Sequence, residues 1–558
     1  MIQASRSVRF MVQSHKHFLI ILTGILMLSG ILLVPNSDLL TPSTLENSII
    51  LSDNEAATSN CRLLFNATFG TSSDEAASSL IQVASGGFAI AGTMFGKGHA
   101  ADYWLVRTDQ SGSQLWNRSF DAGQTENCKS VIECDDGGFA LFGITRANQP
   151  SSVDYWLVRT DADGNHLWNT TFGTESADEG YDIIQCSDGG FVMVGCYTNS
   201  ITNDLDYLMI KADQDGNHQW NFTYGGSDDD CCYSVLETSD NGFVLLGTFG
   251  NGTDEDVSIV RVAENGNYLW NHTYGGSLVD TAYDIISVRE GGYCITGTTE
   301  SFGSTGSDLW VLRIEDDGTL LWNQTYDGVI GDDDGQSLTE MNDGGFAIVG
   351  DINIGGDTMI WLLRTSDIGS LLWNTTYGTP GDSPESIVSI EEGGMAIAAV
   401  TSDIGAGGDD MWLLLVPELS WVKMPSIIRV EQDQPLNREL KAISAAGISS
   451  WALNDTTYFQ IDSTGVLTST TTLELGSYYL AVSVTDNMDN ELTATLTIKA
   501  QETVTATTTG TPTGSITTDT SPHGQEPSNV GVLIIAILGG IAGFVLFAAI
   551  FQRYKRDS

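Results

Sequence analysis

The side chains in this sequence best suited to chemistry are carboxylates on short polar segments. Runs of three stand at Asp228, Asp229, Asp230 and at Asp332, Asp333, Asp334, and further acids recur at Asp74 and Glu75, Asp178 and Glu179, Asp280 and Asp382. Clustered carboxylates on loops suit hard cations, calcium above all. The competing account is simple solvation of acidic turns. The turns "DADGN" (Asp161–Asn165) and "DQDGN" (Asp213–Asn217) open like a calcium loop. The twelfth position from Asp161 is Phe172, where a bidentate Glu is needed, so hairpin turn chemistry accounts for them better. Calcium is the one ion suggested, and no organic cofactor is signalled.

Cys231 and Cys232 are adjacent, which allows a vicinal disulfide; bonding of the two to other partners is the alternative. The remaining cysteines are Cys61, Cys128, Cys134, Cys186, Cys196 and Cys294, clustered in the first half of the folded region, which suits local staples. Histidines show no paired zinc spacing. No Ser-His-Asp arrangement, phosphate loop or isolated carboxylate pair stands out, so no catalytic residue is assigned.

Those acids and cysteines belong to a repeat. Trp116, Trp168, Trp220, Trp270, Trp322 and Trp373 are spaced by 52, 52, 50, 52 and 51 residues. Seven Gly-aromatic turns, from "SGGFAIAG" at Gly87 to "EGGMAIAA" at Gly394, keep the same period. An acid ahead of an apolar run recurs at Asp102, Asp154, Asp206, Asp256, Asp308 and Asp410, loosened at Asp357. One period holds four short strands rich in β-branched and aromatic residues, punctuated by Gly and Asp. Serial four-stranded antiparallel units predict the blades of a β-propeller. Only six Trp-Asn strands follow the seven turns. "LLFNATFG", Leu63 to Gly70, carries Phe65 at the tryptophan position, 51 residues before Trp116. This segment is expected to close the ring as the outer strand of the last blade, giving seven blades.

In "HLWNTTFG" the strand period places Trp168 and Phe172 on one face, packed between blades, and Asn169 and Thr171 on the other. Each copy carries the glycosylation triplet, at Asn66, Asn117, Asn169, Asn221, Asn271, Asn323 and Asn374; Asn251 and Asn454 add two more. Sugars there would shield the rim and block edge-to-edge pairing; repeat duplication alone would also copy the motif. A base recurs in the third strand at Arg107, Arg159, Lys211, Arg261, Arg313 and Arg364, the pattern of an internal ion pair or stem packing.

"TDADGNHLWN" resembles the tryptophan-docking repeat of quinoprotein-dehydrogenase-like propellers, over roughly residues 61–416. The resemblance implies a scaffold in which a tryptophan wedges between blades. It carries no Arg, Glu and Asp set for a quinone cofactor onto this chain. Residues 417–500, with clean strand alternation and turns at Asp462–Gly465 and Asp486–Asn490, resemble cadherin-like or immunoglobulin-like modules of microbial surface proteins. The fold expected is thus all-β, a seven-bladed propeller plus a β-sandwich, with a C-terminal transmembrane helix.

The ends set the expected compartment. Residues 1–36 read as a signal peptide or signal anchor around "FLIILTGILMLSGILLV", and 37–60 as a flexible linker. Residues 501–529 form a Thr-rich stalk. Residues 530–551 are 22 uncharged residues, long enough to span a bilayer, and the basic tail 552–558 places that end in the cytoplasm. The bulk of the chain is therefore expected outside the cell. With 72 acids against 23 bases it repels nucleic acid, and fits cations, cationic partners or a saline medium. Three functions remain: non-catalytic binding or adhesion to a glycan or surface protein, a surface oxidoreductase or hydrolase working in the propeller funnel, and a passive envelope component. No feature specifies an oligomeric state.

Overall fold

The computed structural model describes residues 62–502, apart from 97–100, 147–152, 251–253, 305, 329–330 and 433. The expected signal, linker, stalk, membrane and tail segments lie outside these residues, as do Asn251 and Cys61. Among the described residues no helix is long and apolar enough to cross a membrane.

The described chain is all-β, and its larger part is built as a propeller is: seven four-stranded antiparallel sheets in series. Sheets 1 to 6 span residues 74–120, 126–172, 178–224, 230–274, 280–326 and 337–377. Sheet 7 holds three strands from 383–417, and its fourth is Phe65–Phe69. Phe65 pairs with Leu415 and Thr68 with Trp412, as the phase of the repeat requires. The first and last sheets share one core, in which Phe88 and Ile90 pack with Met411 and Leu413.

Within each sheet burial follows the radial position. In sheet 3 the second and third strands, Phe191–Thr198 and Leu205–Ala212, are buried on both faces and read as near-continuous apolar runs. The outer strand His218–Tyr224 alternates exposed and half-buried residues, because only its inward face meets a neighbour. Trp168 packs edge-on against Phe191 of the following sheet at 6.1 Å. It also covers the turn of that sheet, where a Cβ added to Gly216 would lie 2.6 Å from the indole. Trp116 covers Gly164 in the same way. Both glycines have φ above +70°, so the repeat needs glycine there for conformation and for close approach.

The third-strand bases have the internal role their spacing predicts. Arg261 donates to the carbonyls of Phe243 and Val262, to Thr238 and to Asp240, tying the Gly turn to the strand. Arg159 and Arg364 pair similarly with Asp136 and Asp343, and Lys211 with Asp188. Arg107 and Arg313 donate chiefly to backbone carbonyls.

Residues 420–501 form a smaller β unit of four-, three- and two-stranded sheets. Leu436, Phe459, Leu467, Val482 and Ile498 make its core. Its two predicted turns form around aspartates: Asp462 accepts from the amides of Thr464 and Val466, and Asp486 from those of Met488 and Asn490.

Candidate functional site

The innermost strand of each sheet is entered at a carboxylate, continues through two residues, and then presents one side chain to the sheet axis. Those side chains are Ser78, Lys129, Tyr181, Tyr233, Tyr283, Gln336 and Glu385. In six of the seven sheets this residue sits in a β-bulge; the register shifts between Gly180 and Asp182, for example, leaving Tyr181 unpaired. A bulge turns the extra side chain out of the ladder. Repeated around the sheets, it lines a single cavity of about 340 Å³.

The next residue in each strand is Ser or Asp, and it stitches neighbouring sheets together. Asp182 accepts from Ser130 Oγ at 3.0 Å, from Ser234 Oγ at 3.1 Å and from the Val235 amide at 3.1 Å. Asp284 accepts from Ser337 Oγ and the Leu338 amide. Ser386 accepts from the Leu80 amide, which joins sheet 7 to sheet 1. Most of this Ser/Asp ring is structural: it satisfies amides beside the bulges that the ladder leaves unpaired.

The cavity has two unlike arcs. Tyr181, Tyr233 and Tyr283 stand side by side, with ring centroids 5.1 Å and 6.0 Å apart. On the other side Lys129 and Glu385 flank the small Ser78, and the Lys129 ammonium reaches the Tyr181 face at 5.9 Å. Dense surrounding protein pushes the Glu385 carboxyl up to about 7, with Lys129 opposing and Asp351 and Asp334 adding to the rise. Burial likewise pushes Asp284 up to about 6 and raises Asp182. Hydroxyls, an amide, a cation, carboxylates of raised pKa and an aromatic wall can together hydrogen-bond and stack on a polar, ring-shaped ligand.

The acids singled out by sequence are placed differently from one another. Asp228, Asp229 and Asp230 diverge: Asp230 is buried and accepts from the Gly226 and Gly250 amides, Asp229 accepts from Leu205, and Asp228 from Ser227. Asp332, Asp333 and Asp334 diverge as well, accepting from the amides of Ser307, Asn353 and Asp351 respectively. Neither triplet converges as a unit. Only Asp333 joins a cluster of three carboxylates, with Asp308 and Asp327.

The vicinal disulfide is corrected. Cys231 bonds to Cys196, joining sheet 4 to the second strand of sheet 3, while Cys232 is a buried free thiol. Cys232 instead packs in the core shared with sheet 3, against Val194 and Tyr207. Cys128, Cys134, Cys186 and Cys294 are also buried free thiols, so one staple is present among the described residues. The sequon asparagines lie exposed on the outer strands. Asn66, Asn169, Asn323 and Asn374 each accept a hydrogen bond from a third-strand indole, at 3.2–3.3 Å. The eighth described sequon residue, Asn454, accepts from the Ala481 amide.

Sequence reasoning missed the cavity residues. Their signal was the repeat position three residues after the strand-entry acid, which is Tyr in three copies and Ser, Lys, Gln or Glu in the other four.

No family model and no curated protein matches this sequence. Among solved structures, the chain is similar to the extracellular domain of the putative hybrid two component system BT4673 from B. thetaiotaomicron, at 11% identity and a TM-score of 0.39, over 79% of this chain and 60% of that one. It is similar to the Neurospora crassa Pan2 WD40 domain at 11% identity and 0.39, over 61% of this chain and 89% of that one. A puromycin hydrolase is similar at 12% and 0.40, over 59% and 51%. The chain thus spans less than two thirds of the first of these.

Proposed function

We propose that this chain is a membrane-anchored, extracellular seven-bladed propeller with a cadherin-like or immunoglobulin-like module, and that the axial cavity binds a glycan without catalysis. The observation that carries this is the variation of one cavity position against a repeated scaffold. Duplication copies structural residues, so a position that holds five residue types in seven copies, and whose side chains share one cavity, has the character of a recognition surface. An aromatic arc facing hydroxyl, amide and charged groups suits a sugar ring, which offers apolar faces and polar edges.

The test is binding of the purified chain to a glycan and surface-protein array, with and without calcium, followed by Tyr233→Ala and Lys129→Ala. Loss of a specific glycan signal in both variants supports the reading. Equal binding by wild type and variants places recognition elsewhere, and binding to nothing favours a passive envelope component.

A hydrolase is the second reading, favoured by Glu385, whose carboxyl near 7 has the pKa of a general acid or base at neutral pH. Cleavage of the bound glycan by wild type and its loss in Glu385→Gln would decide for it.

A further inference from the structure

At the junctions between consecutive sheets other than that of sheets 6 and 7, where Met359 takes the place, the acid heading one sheet's third strand approaches the acid heading the next sheet's inner strand. One residue after the outer strand lies between them. In five junctions it is glycine: 70, 173, 225, 275 and 378. A Cβ on Gly173 would lie 2.6 Å from Asp178 and 2.8 Å from Asp154, and one on Gly225 or Gly275 would run into the corresponding pair. A side chain here therefore points straight into the carboxylates. In the other two junctions the residue is Asp121 or Asp327. These are the two places where the described structure brings three carboxylates together, Asp102 with Asp121 and Glu126, and Asp308 with Asp327 and Asp333, their oxygens within 4.8 Å of one another.

A third carboxylate added to a close pair is unfavourable unless a positive charge or protons accompany it. Glu126 supplies the second observation. It is 0% exposed; Thr145 Oγ1 and the Gln124 amide donate to its Oε1, while Oε2 has no hydrogen-bond partner. A buried carboxylate oxygen left unpartnered is costly, the more so when charged.

We propose that Asp102, Asp121 and Glu126 bind a divalent hard cation, calcium. Three carboxylates from three different strand ends form a partial oxygen shell that water and backbone carbonyls can complete, the adaptable arrangement calcium accepts more readily than magnesium. The ion would tie the third strand of sheet 1 to the inner strand of sheet 2. Departure of this junction from glycine then has a chemical reason.

The probe is calcium itself, measured by equilibrium dialysis against the full chain in detergent over about 10⁻⁵ to 10⁻² M, the span that covers extracellular calcium modules. Asp121→Gly and Asp327→Gly install the residue of the other five junctions, so both variants keep the fold, checked by circular dichroism. Asp121→Asn keeps the side-chain volume and removes the charge. Diffuse binding to the acidic surface is common to all and cancels in the differences. Wild type is expected to hold one more ion than Asp121→Gly, with Asp121→Asn matching Asp121→Gly. Equal stoichiometry in wild type and Asp121→Gly overturns the proposal. Loss confined to Asp327→Gly overturns the assignment at Glu126.

Discussion

Replacing Glu385 with glutamine removes a charge that the folded chain tolerates poorly. Burial is the main cause of its raised carboxyl, at about 7 against an ordinary 4.5. Because the folded value lies above the unfolded one, the folded state holds the proton more tightly between those limits. Stability is then greatest below the unfolded value and declines as pH rises through 4.5 towards 7. At 1.36 kcal/mol per pH unit the full displacement corresponds to roughly 3 kcal/mol. The opposing Lys129 is already included in that balance, and the figure is an upper bound on what Glu385→Gln can restore. For a folded region of this size, an unfolding entropy near 2.1 cal/mol/K per residue turns it into roughly 3 °C in Tm. Wild type and Glu385→Gln should therefore melt together near pH 4 and separate progressively to pH 8, with the variant higher. The assay is thermal unfolding followed by near-ultraviolet circular dichroism across that range. Parallel curves from pH 4 to 8, or a variant destabilised at pH 8, would refute the account of Glu385 as a buried, under-compensated acid.

Gly216→Ala should destabilise the chain by about 2–4 kcal/mol, since it forces a positive φ on a residue with a Cβ and drives that Cβ into Trp168; chemical denaturation measures it, and an unchanged midpoint would count against tryptophan docking on the neighbouring turn. Changing Cys196 and Cys231 together to serine should cost about 3–4 kcal/mol for a closed loop of 35 residues. Alkylation of the folded, non-reduced chain should leave Cys128, Cys134 and Cys186 unmodified, because burial holds each thiol up at about 12. Chemical denaturation reads the first of these two experiments and mass spectrometry the second, where labelling of Cys231 before reduction would contradict the pairing.

Much of the scaffold is legible in the sequence because repetition amplifies it. One Gly-aromatic turn is a weak signal, but seven in phase, with tryptophans at a matching period, leave little room for anything except serial four-stranded sheets. The partnership of Phe65–Phe69 with the strand at Trp412 is legible for the same reason, since that fragment carries the outer-strand motif without a turn of its own. The buried bases at Arg159 and Arg261 could be placed inside from periodicity, although their partners could not be named.

The site was not legible, and the reason is geometric. A bulge changes which way one residue points without leaving a mark of its own in residue type, so Tyr181 reads as an ordinary strand residue until the ladder is seen to slip. The consecutive acids misled in the opposite sense. Only Asp230 belongs to a strand, Asp228 and Asp229 lying on the bend before it, so the three look like a cluster in the sequence and scatter in space. Asp102, Asp121 and Glu126, separated along the chain, meet because three strand ends converge at one junction. Cys231 and Cys232 are likewise adjacent in the sequence, yet it is the first that bonds to Cys196 while the second is buried in the core shared with sheet 3. The repeat, its strands and the closing partner rest on local periodicity, and the order of residues is enough to settle them. Which carboxylates, cysteines and cavity residues share a site depends on how separate strands are brought side by side, and that emerges only once the chain is folded.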